Sequence, residues 1–498
     1  MSSDAKTVIV IGGGLGGLSA AISLTQQGYQ VRLFEKNQHL GGKLNILKQD
    51  GFSFDLGPSI LTMPHIFEKL FRDSGRNMSD YVSIQRLDLE WRSFFPDGSV
   101  IDLYGDLDKM ATANPHIDKK HMEEYAKFLK YAAKLYEATK RSYFDLGLDD
   151  TVSVLRGYGA IRSLRDFDLF STMHDALARY ITHPNMLEMF DYFIKYVGSS
   201  PYDAPAVLNM MIYMQQQQGV WYVPGGMYGL AEGLTKLARE IGVELNTGTE
   251  VIKLIRGSDS KSISAIELAD GRTCPGDYFV SNMEVLPAYE NLLGESEYAA
   301  KKRRKFEPAC SGLVLHLGVD KLYPQLAHHN FFFSANPRGH FEKVFHSHQL
   351  PDDPILYVVN SSKTDPGQAR PGHENIKILP HIPYMQDQDF SREEYLKLRE
   401  RVLIKMENMG ITDLRKHIVT EDMWIPADIK RMYNSDRGAI YGTVSDKKKN
   451  KGFKNPKHSK LFKNLYFVGG TVNPGGGMPM VTLSGQKTSE LITHEDKK

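Results

Sequence analysis

The strongest constraint on the fold of this chain is a glycine-rich turn that joins an apolar strand to a helix near the amino terminus. Residues 8–11 are all Val or Ile and predict a buried strand, and a G-x-G-x-x-G pattern follows at once. Gly12 permits the tight turn, Gly14 lets backbone N–H groups approach a pyrophosphate, and Gly17 lets the next helix pack closely on the strand. With a helix predicted over residues 18–27, the pattern is typical of a Rossmann-type α/β fold that binds a dinucleotide.

The residues after this helix indicate which dinucleotide is bound. A second predicted strand, residues 30–34, ends in Glu35, whose carboxylate can accept hydrogen bonds from a ribose hydroxyl. Gly41 and Gly42 then let the chain fold back over the cofactor phosphates, where Lys43 would add a positive charge. Because NAD sites do not need this second crossing, the pattern favours FAD. The stretch that follows adds three residues to the predicted cofactor-binding set: Gly57, Pro58 and Ser59.

A second glycine-rich segment lies near the carboxyl terminus. Residues 465–468 predict a buried strand that runs into a glycine loop, and a helix is predicted from about residue 479. The amino terminus of such a helix would stabilise negative charge on a reduced flavin ring. The alternative is an ordinary glycine-rich surface loop. The cofactor-binding residues predicted here are Gly470, Thr471, Gly475, Gly476, Met478, Pro479 and Met480.

Nearly the whole chain resembles the carotenoid desaturase and oxygenase branch of the FAD-dependent amine-oxidoreductase superfamily. Within that branch it is most similar to the bacterial diaponeurosporene (diapolycopene) oxygenases. The resemblance is carried by the amino-terminal glycine motif and by five later stretches: residues 54–64, 91–98, 192–200, 325–333 and 436–442. One feature departs from many amine oxidases, which have Gly-Asp or Gly-Glu in the last strand where this chain has Gly469-Gly470-Thr471. That departure weakens an amine-oxidase interpretation.

The resemblance implies FAD-dependent oxidation of the terminal methyl of a linear thirty-carbon carotenoid, to the aldehyde or on to the acid. It implies an amine-oxidase-like architecture and backbone contacts from Val251 to the adenine side of FAD. The expected partners are the linear carotenoid, molecular oxygen, a membrane surface and other enzymes of the same pathway. Desaturation of a related polyene is the alternative, and an FAD amine oxidase or a non-catalytic carotenoid or flavin carrier are less favoured. No catalytic side chain is assigned.

Composition agrees with a large enzyme rather than with a nucleic-acid-binding protein. The 498 residues carry a net charge of only +1, which argues against a nucleic-acid partner. The two cysteines, Cys274 and Cys310, lack metal-ligand spacing, so we predict reduced thiols and a cytoplasmic setting. No secretory signal or membrane-spanning apolar run is visible. A lipid-soluble substrate would therefore be reached from the inner face of the cell membrane, with the protein bound peripherally.

The order of elements predicts two domains. A discontinuous FAD-binding domain is assigned to residues 1–82, 224–285 and 422–498. Two insertions, residues 83–223 and 286–421, are predicted to form an α+β substrate domain that faces the membrane. The substrate tunnel is expected between the insertions, with residues 475–480 forming its floor under the flavin.

Periodicity places further elements within these segments. Residues 121–137 and 393–409 have helical spacing, and a helix is predicted after Met227. Strands are expected at residues 243–245, 251–255, 263–268, 277–281, 312–318, 355–360 and 376–379.

Other conspicuous residues have structural explanations at least as good as functional ones. His328 and His329 are adjacent in a predicted strand and would point to opposite faces, so no metal site is predicted. The basic runs at residues 301–305 and 447–451 are either solvated faces or sites of attraction to anionic lipid. Asp436 and Arg437 either orient the polar end of a substrate or form structural salt bridges.

Overall fold

The computed structural model describes residues 5–497, and its strands occur in two main sheets and three small ones. The strands are β1 (Thr7–Ile11), β2 (Gln30–Phe34), β3 (Ile46–Gln49), β4 (Phe52–Asp55), β5 (Gln85–Leu87), β6 (Leu89–Phe94), β7 (Val100–Tyr104), β8 (Val220–Tyr222), β9 (Glu244–Asn246), β10 (Val251–Arg256), β11 (Ile263–Leu268), β12 (Thr273–Pro275), β13 (Tyr278–Ser281), β14 (Ser311–Gly312), β15 (Val314–Val319), β16 (His329–Phe332), β17 (Leu356–Val359), β18 (Glu374–Ile382), β19 (Ile418–Trp424) and β20 (Leu465–Phe467).

The α-helices cover the faces of these sheets, and seven of them lie in the first insertion. They are α1 (Leu15–Gln26), α2 (Pro64–Asp73), α3 (Leu107–Ala113), α4 (Lys119–Thr139), α5 (Thr151–Val154), α6 (Ala160–Asp166), α7 (Met173–Ala178), α8 (Pro184–Asp191), α9 (Met210–Gln218), α10 (Tyr228–Glu240), α11 (Val285–Pro287), α12 (Ser296–Arg303), α13 (Pro337–Glu342), α14 (Arg392–Asn408), α15 (Pro426–Tyr433) and α16 (Met478–Asp496).

The first main sheet is parallel and has the strand order β20-β13-β1-β2-β9. Val8, Ile9 and Val10 are fully buried in its central strand, as expected for a strand covered on both faces. The carboxyl ends of these strands meet at one edge, where open α/β sheets bind their ligands. The predicted Rossmann-type α/β fold is confirmed.

Helix α1 begins at Leu15, so the prediction that it begins at residue 18 is wrong by three residues. Gly16 and Gly17 lie inside its first turn instead of before it. A Cβ on Gly17 would stand 2.0 Å from the Gly12 carbonyl oxygen. Gly17 is therefore needed for contact between the helix and the turn, as its position in the motif predicted.

The second main sheet has the order β19-β15-β18-β17-β16-β6-β7, with β14 beside β18. All of its pairs are antiparallel except β16 with β6. Strands β6 and β7 come from the first insertion, and β14 to β18 come from the second. The expected strand over residues 312–318 is instead interrupted at Leu313, which separates β14 from β15. The division of the chain into two domains at the stated boundaries stays a prediction.

The helices of the first insertion pack against this second sheet around an apolar core. Tyr125 and Phe128 of α4 stack on Phe190, and Trp91 of β6 lies 4.0 Å from Phe193 between ring centroids. Helix α14 begins at a capping box formed by Ser391 and Glu394. Within residues 5–497, no helix combines the length and the apolar composition needed to cross a bilayer.

Candidate active site

A cavity of about 780 Å³ lies at the carboxyl edge of the parallel sheet and extends between that sheet and the helical insertion. Its volume falls in the range usual for ligand and cofactor sites. We call one part the glycine-rich end, lined by Gly12, Gly14, Gly41, Gly42, Gly470 and Gly476. We call the other part the apolar end, lined by Phe144, Leu155, Leu208, Met210, Met211 and Met214.

Backbone approaches backbone closely at the glycine-rich end. Gly12 has φ +93°, a conformation that L side chains rarely adopt. A Cβ on Gly42 would stand 3.0 Å from the Gly14 Cα, and one on Gly14 would stand 2.6 Å from Asn282 Nδ2. A side chain at Gly14 or Gly42 would therefore collide with Asn282 or with the Gly14 backbone, which form this end of the cavity.

Glu35 lies at the end of β2, as predicted, and lines the cavity. Its Oε2 accepts the Gly13 N–H at 2.7 Å, and its Oε1 accepts the Asn37 N–H at 2.9 Å. These bonds fix the carboxylate beside the glycine turn and leave further lone pairs for a ribose hydroxyl.

Most of the predicted cofactor-binding residues line this one cavity. Those that do are Gly12, Gly14, Glu35, Gly41, Gly42, Lys43, Gly57, Pro58, Ser59, Val251, Gly470, Gly476, Met478, Pro479 and Met480. Gly17, Thr471 and Gly475 lie beside it without lining it. Gly17 packs on Gly12, the Thr471 hydroxyl accepts the Val285 N–H at 3.1 Å, and Gly475 lies against the Lys454 side chain. Direct cofactor contact by each residue stays a prediction.

Lys43 has protein partners that the sequence did not indicate. Its Nζ donates to the Ala439 and Ile440 carbonyl oxygens, each at 3.1 Å, and lies 3.5 Å from Glu284 Oε1. The Glu284 side chain is only 13% exposed, and desolvation raises the pKa of its carboxyl despite the nearby ammonium. The positive charge of Lys43 is therefore largely engaged in holding the loop that precedes the last strand.

The last strand and the helix after it complete the glycine-rich end. The Gly469 N–H donates to Ser484 Oγ at 2.9 Å, which ties the end of β20 to α16. The cavity is lined by Met478, Pro479 and Met480, the first residues of α16. The positive end of this helix dipole is thus directed at the cavity, as the sequence predicted.

Two residues at this end were missed from the sequence. Asn282 follows β13 and lies against Gly12, Gly14 and Gly469. Its place directly after a predicted strand was the available signal.

Lys377 of β18 is the second missed residue. It donates to the Asp55 and Gly57 carbonyl oxygens at 2.9 and 2.6 Å and to Ser59 Oγ at 2.7 Å. Burial lowers the pKa of Lys377 to about 8. No local pattern connects it to the segment that it holds.

A lysine also lies in the cavity wall where aromatic rings meet. The Lys195 Nζ is 4.1 Å from the ring centroid of Trp91, 4.4 Å from that of Tyr196, 4.6 Å from that of Phe331 and 4.9 Å from that of Tyr357. We call these four rings and the Lys195 side chain the lysine cage.

A chain of hydrogen bonds lies beside the lysine cage. The Tyr196 hydroxyl donates to Gln215, whose amide donates to Glu90 at 2.8 Å. Burial raises the pKa of Glu90 to about 7.

The surroundings of His328, His329, Asp436 and Arg437 favour structural roles for these residues. Burial lowers the pKa of His328 to about 3 and that of His329 well below its usual range, so both rings are neutral. Within the described residues, no group of three or more His, Cys, Asp or Glu side chains is arranged to hold a metal. Asp436 pairs with Arg303 and Arg437 with Asp387, which favours the salt-bridge interpretation.

Part of the protein surface beside the cavity is unusually apolar. We call it the 146–170 surface, made of the exposed side chains Leu146, Val152, Leu155, Ile161, Leu164, Leu169 and Phe170. Ile161 and Phe170 are 83% and 81% exposed. Leu155 and Leu169 also line the cavity, so the surface is continuous with its wall.

The glycine cradle, the ribose acceptor and the helix terminus together fit FAD and define a flavoprotein oxidoreductase. The chain belongs to the flavin containing amine oxidoreductase family, whose profile matches residues 15–493. This confirms the family predicted from the resemblance, the FAD cofactor and the assignment as an oxidoreductase.

Two relatives and one solved structure define its place more closely. The chain is 55% identical over 488 residues to a 4,4'-diaponeurosporene oxygenase of Staphylococcus haemolyticus, with 98% of this chain and 97% of the relative covered. It is 53% identical to the 4,4'-diaponeurosporene oxygenase of Staphylococcus aureus strain USA300, with 99% of each covered. A putrescine oxidase structure with putrescine bound superposes with a TM-score of 0.65 at 12% identity, covering 98% of this chain and 99% of that one. The amine-oxidase-like architecture is therefore confirmed.

Proposed function

We propose that this protein oxidises the terminal methyl group of a linear thirty-carbon carotenoid, diaponeurosporene or diapolycopene, to the aldehyde in carotenoid biosynthesis. The observation that carries this proposal is the 53–55% identity, over nearly the full chain, to diaponeurosporene oxygenases. The cavity supports it, because a site for a redox cofactor and an apolar space for a polyene adjoin in one volume.

The chemistry requires a hydride acceptor and a positioned chain end. FAD, when bound, accepts a hydride from a C–H bond that a conjugated chain activates. The chain's own part is positioning: Met210, Met211 and Met214 give an adaptable apolar wall that excludes water. We propose molecular oxygen as the oxygen source, so that the methyl and one O₂ give the aldehyde and one water. Four electrons then leave the carbon and four reach oxygen.

Pigment mass in cells that make a linear thirty-carbon carotenoid tests this function. We expect the gain of one oxygen with the loss of two hydrogens at a chain end. When ¹⁸O₂ is supplied, we also expect the aldehyde to carry the label. Immediate reduction of the aldehyde to the alcohol prevents exchange of its oxygen with water before the label is measured. A Gly14→Val variant, whose side chain would collide with Asn282 and distort the glycine-rich end, is the matched inactive control. Unlabelled product would overturn the proposal that dioxygen is the source.

Desaturation is the alternative, because the same hydride removal can be completed by proton loss. It predicts loss of two hydrogens without any gain of oxygen. An amine oxidase or a carrier would leave the pigment mass unchanged. A carrier would also show no bleaching of the flavin when the carotenoid is added without air.

The substrate dissolves in lipid, so we propose that the protein binds the cytoplasmic face of the cell membrane through the 146–170 surface. Arg156, Arg162 and Arg165 are exposed among its apolar side chains. Lys447 donates to the Phe170 carbonyl oxygen, which brings the basic run 447–451 to the same surface. Apolar side chains surrounded by arginine and lysine are suited to a bilayer that contains anionic lipid.

Vesicle flotation tests this docking surface. The double variant Ile161→Glu, Phe170→Glu should bind vesicles of phosphatidylglycerol and phosphatidylcholine at least about tenfold more weakly, because each side chain loses apolar burial in the bilayer. The double variant Leu322→Glu, Val419→Glu is the matched control, since these side chains are 55% and 46% exposed and lie outside the 146–170 surface. Equal losses in both double variants, or none in either, would contradict the proposed docking surface.

A further inference from the structure

The lysine cage is unusual because a lysine side chain lies in the wall of a largely apolar cavity. Lys195 belongs to the short 3-10 helix Tyr192–Tyr196 and is only 4% exposed. Within residues 5–497, its Nζ has no carboxylate or hydrogen-bond partner, and burial alone lowers its pKa well below the usual range. Four ring faces offset part of the desolvation cost but cannot replace the hydrogen bonds of an ammonium or amine.

The polar atoms around the cage are already engaged elsewhere. The Tyr357 hydroxyl is 3.0 Å from His329 Nδ1, and the Tyr196 hydroxyl is 2.6 Å from Gln215 Oε1. Both tyrosines therefore present only their ring faces to Lys195. Lys195 also lines the cavity, so we take the cavity to be the remaining direction for a hydrogen bond from Nζ.

The cage also lies next to the segment that is expected under the flavin. The Tyr196 carbonyl oxygen is 4.0 Å from the place where a Cβ on Gly477 would stand. Gly198 lies against the ring of Tyr441, whose carbonyl oxygen would be 2.7 Å from a Cβ on Gly476. The helix that carries Lys195 thus adjoins the start of α16, where the reacting end of a polyene must arrive.

We propose that Lys195 is a substrate-binding residue that donates a hydrogen bond to the oxygen atom placed on the carotenoid end. A hydrocarbon end offers no acceptor, whereas the alcohol formed first and the aldehyde formed next both do. Lys195 would hold the oxygenated end at the flavin and so favour a second oxidation over release of the alcohol. This inference rests on the proposed function and deepens it.

Binding to dithionite-reduced holoenzyme without oxygen separates this role from turnover. The probes are diaponeurosporene and its terminal aldehyde, and the variants are Lys195→Met and Lys195→Gln. We expect Lys195→Met to weaken aldehyde binding about tenfold or more and to leave hydrocarbon binding within about threefold. Lys195→Gln, which keeps a donor, should recover part of the aldehyde affinity.

The aldehyde also reports its own environment through its colour. A donor at the carbonyl polarises the conjugated chain, so the absorption maximum of bound aldehyde should lie at longer wavelength in the wild type than in Lys195→Met. The control is Lys405→Met, a largely buried lysine of α14 outside the cavity that donates to the Pro354 carbonyl oxygen at 2.8 Å. It should leave the spectrum and the affinity ratio between aldehyde and hydrocarbon unchanged.

Two results would overturn the inference. One is an equal loss of affinity for both pigments in Lys195→Met, which indicates a structural role. The other is that Lys195→Met binds the aldehyde with unchanged affinity and unchanged colour. If the wild type still converts the hydrocarbon, this second result leaves the proposed function intact. Failure of the wild type to bind or oxidise either pigment would instead overturn the function and the inference together.

Discussion

The two ends of the cavity are built by opposite means. At the glycine-rich end, backbone atoms define the surface: a Cβ on Gly57 would stand 1.8 Å from the Lys43 carbonyl oxygen. At the apolar end, long and flexible side chains such as Met210, Met211 and Met214 form the wall. A site shaped by backbone tolerates no added atoms, whereas a wall of methionine can adapt to a long ligand. We expect the rigid end to hold the cofactor and the adaptable end to hold the substrate.

A single added methyl group should have the largest effect at the glycine-rich end. Gly57→Ala forces the segment after β4 away from Lys43, and we expect a loss of about 3 kcal/mol in the free energy of unfolding. The purified variant should also retain little FAD, measured from the flavin absorbance relative to protein.

The matched control is Gly367→Ala, in an exposed 3-10 turn where the new Cβ would stand 3.4 Å from Asp365 Oδ1. It should change stability by less than about 0.5 kcal/mol. If Gly57→Ala bound FAD like the wild type, the contrast between the two ends would be wrong.

The same contrast explains what could be predicted from the sequence. The turn around Gly12 and Gly14 is local, so its spacing alone predicted its role. Asn282 joins the turn from a strand far along the chain, and its place directly after that strand was the signal available in the sequence. Lys195 lay in a stretch that carries the family resemblance, yet its cage needs rings from β6, β16 and β17. The apolar end is formed by packing between segments that are distant in the chain. Such packing produces no periodic pattern in the sequence.

A buried carboxyl, Glu90, lies beside the lysine cage, and the pH dependence of stability should reveal it. Burial raises the pKa of Glu90 to about 7, above the value of about 4.3 expected in the unfolded chain. As pH rises, Glu90 therefore loses its proton in the unfolded state at a lower pH than in the folded state. The contribution of Glu90 to the free energy of unfolding falls between about pH 4.3 and 7. The fall amounts to about 3 kcal/mol in this window.

Denaturant titrations of the wild type and Glu90→Gln across pH 4.3 to 8 measure this effect. The amide keeps the shape of the side chain but does not titrate, so the stability of the wild type relative to the variant should decrease as pH rises. Asp88→Asn is the control, because Asp88 is exposed at the surface. A difference between wild type and Glu90→Gln that does not change with pH would show that Glu90 is not held in an apolar setting.

The smallest expected effect concerns Lys43, the one charged residue predicted to contact the cofactor phosphates. Its ammonium already has two carbonyl partners and Glu284, so Lys43→Met should weaken FAD binding by only about 1 kcal/mol, near fivefold. Because this loss acts through the 439–440 loop, the dependence of FAD affinity on salt should stay unchanged. A combined Lys43→Met, Glu284→Gln variant should lose less than the sum of the single losses. A larger loss of FAD affinity that becomes smaller with added salt would mean that Lys43 leaves these partners and contacts the phosphates. Charge as well as backbone shape would then determine binding at the glycine-rich end.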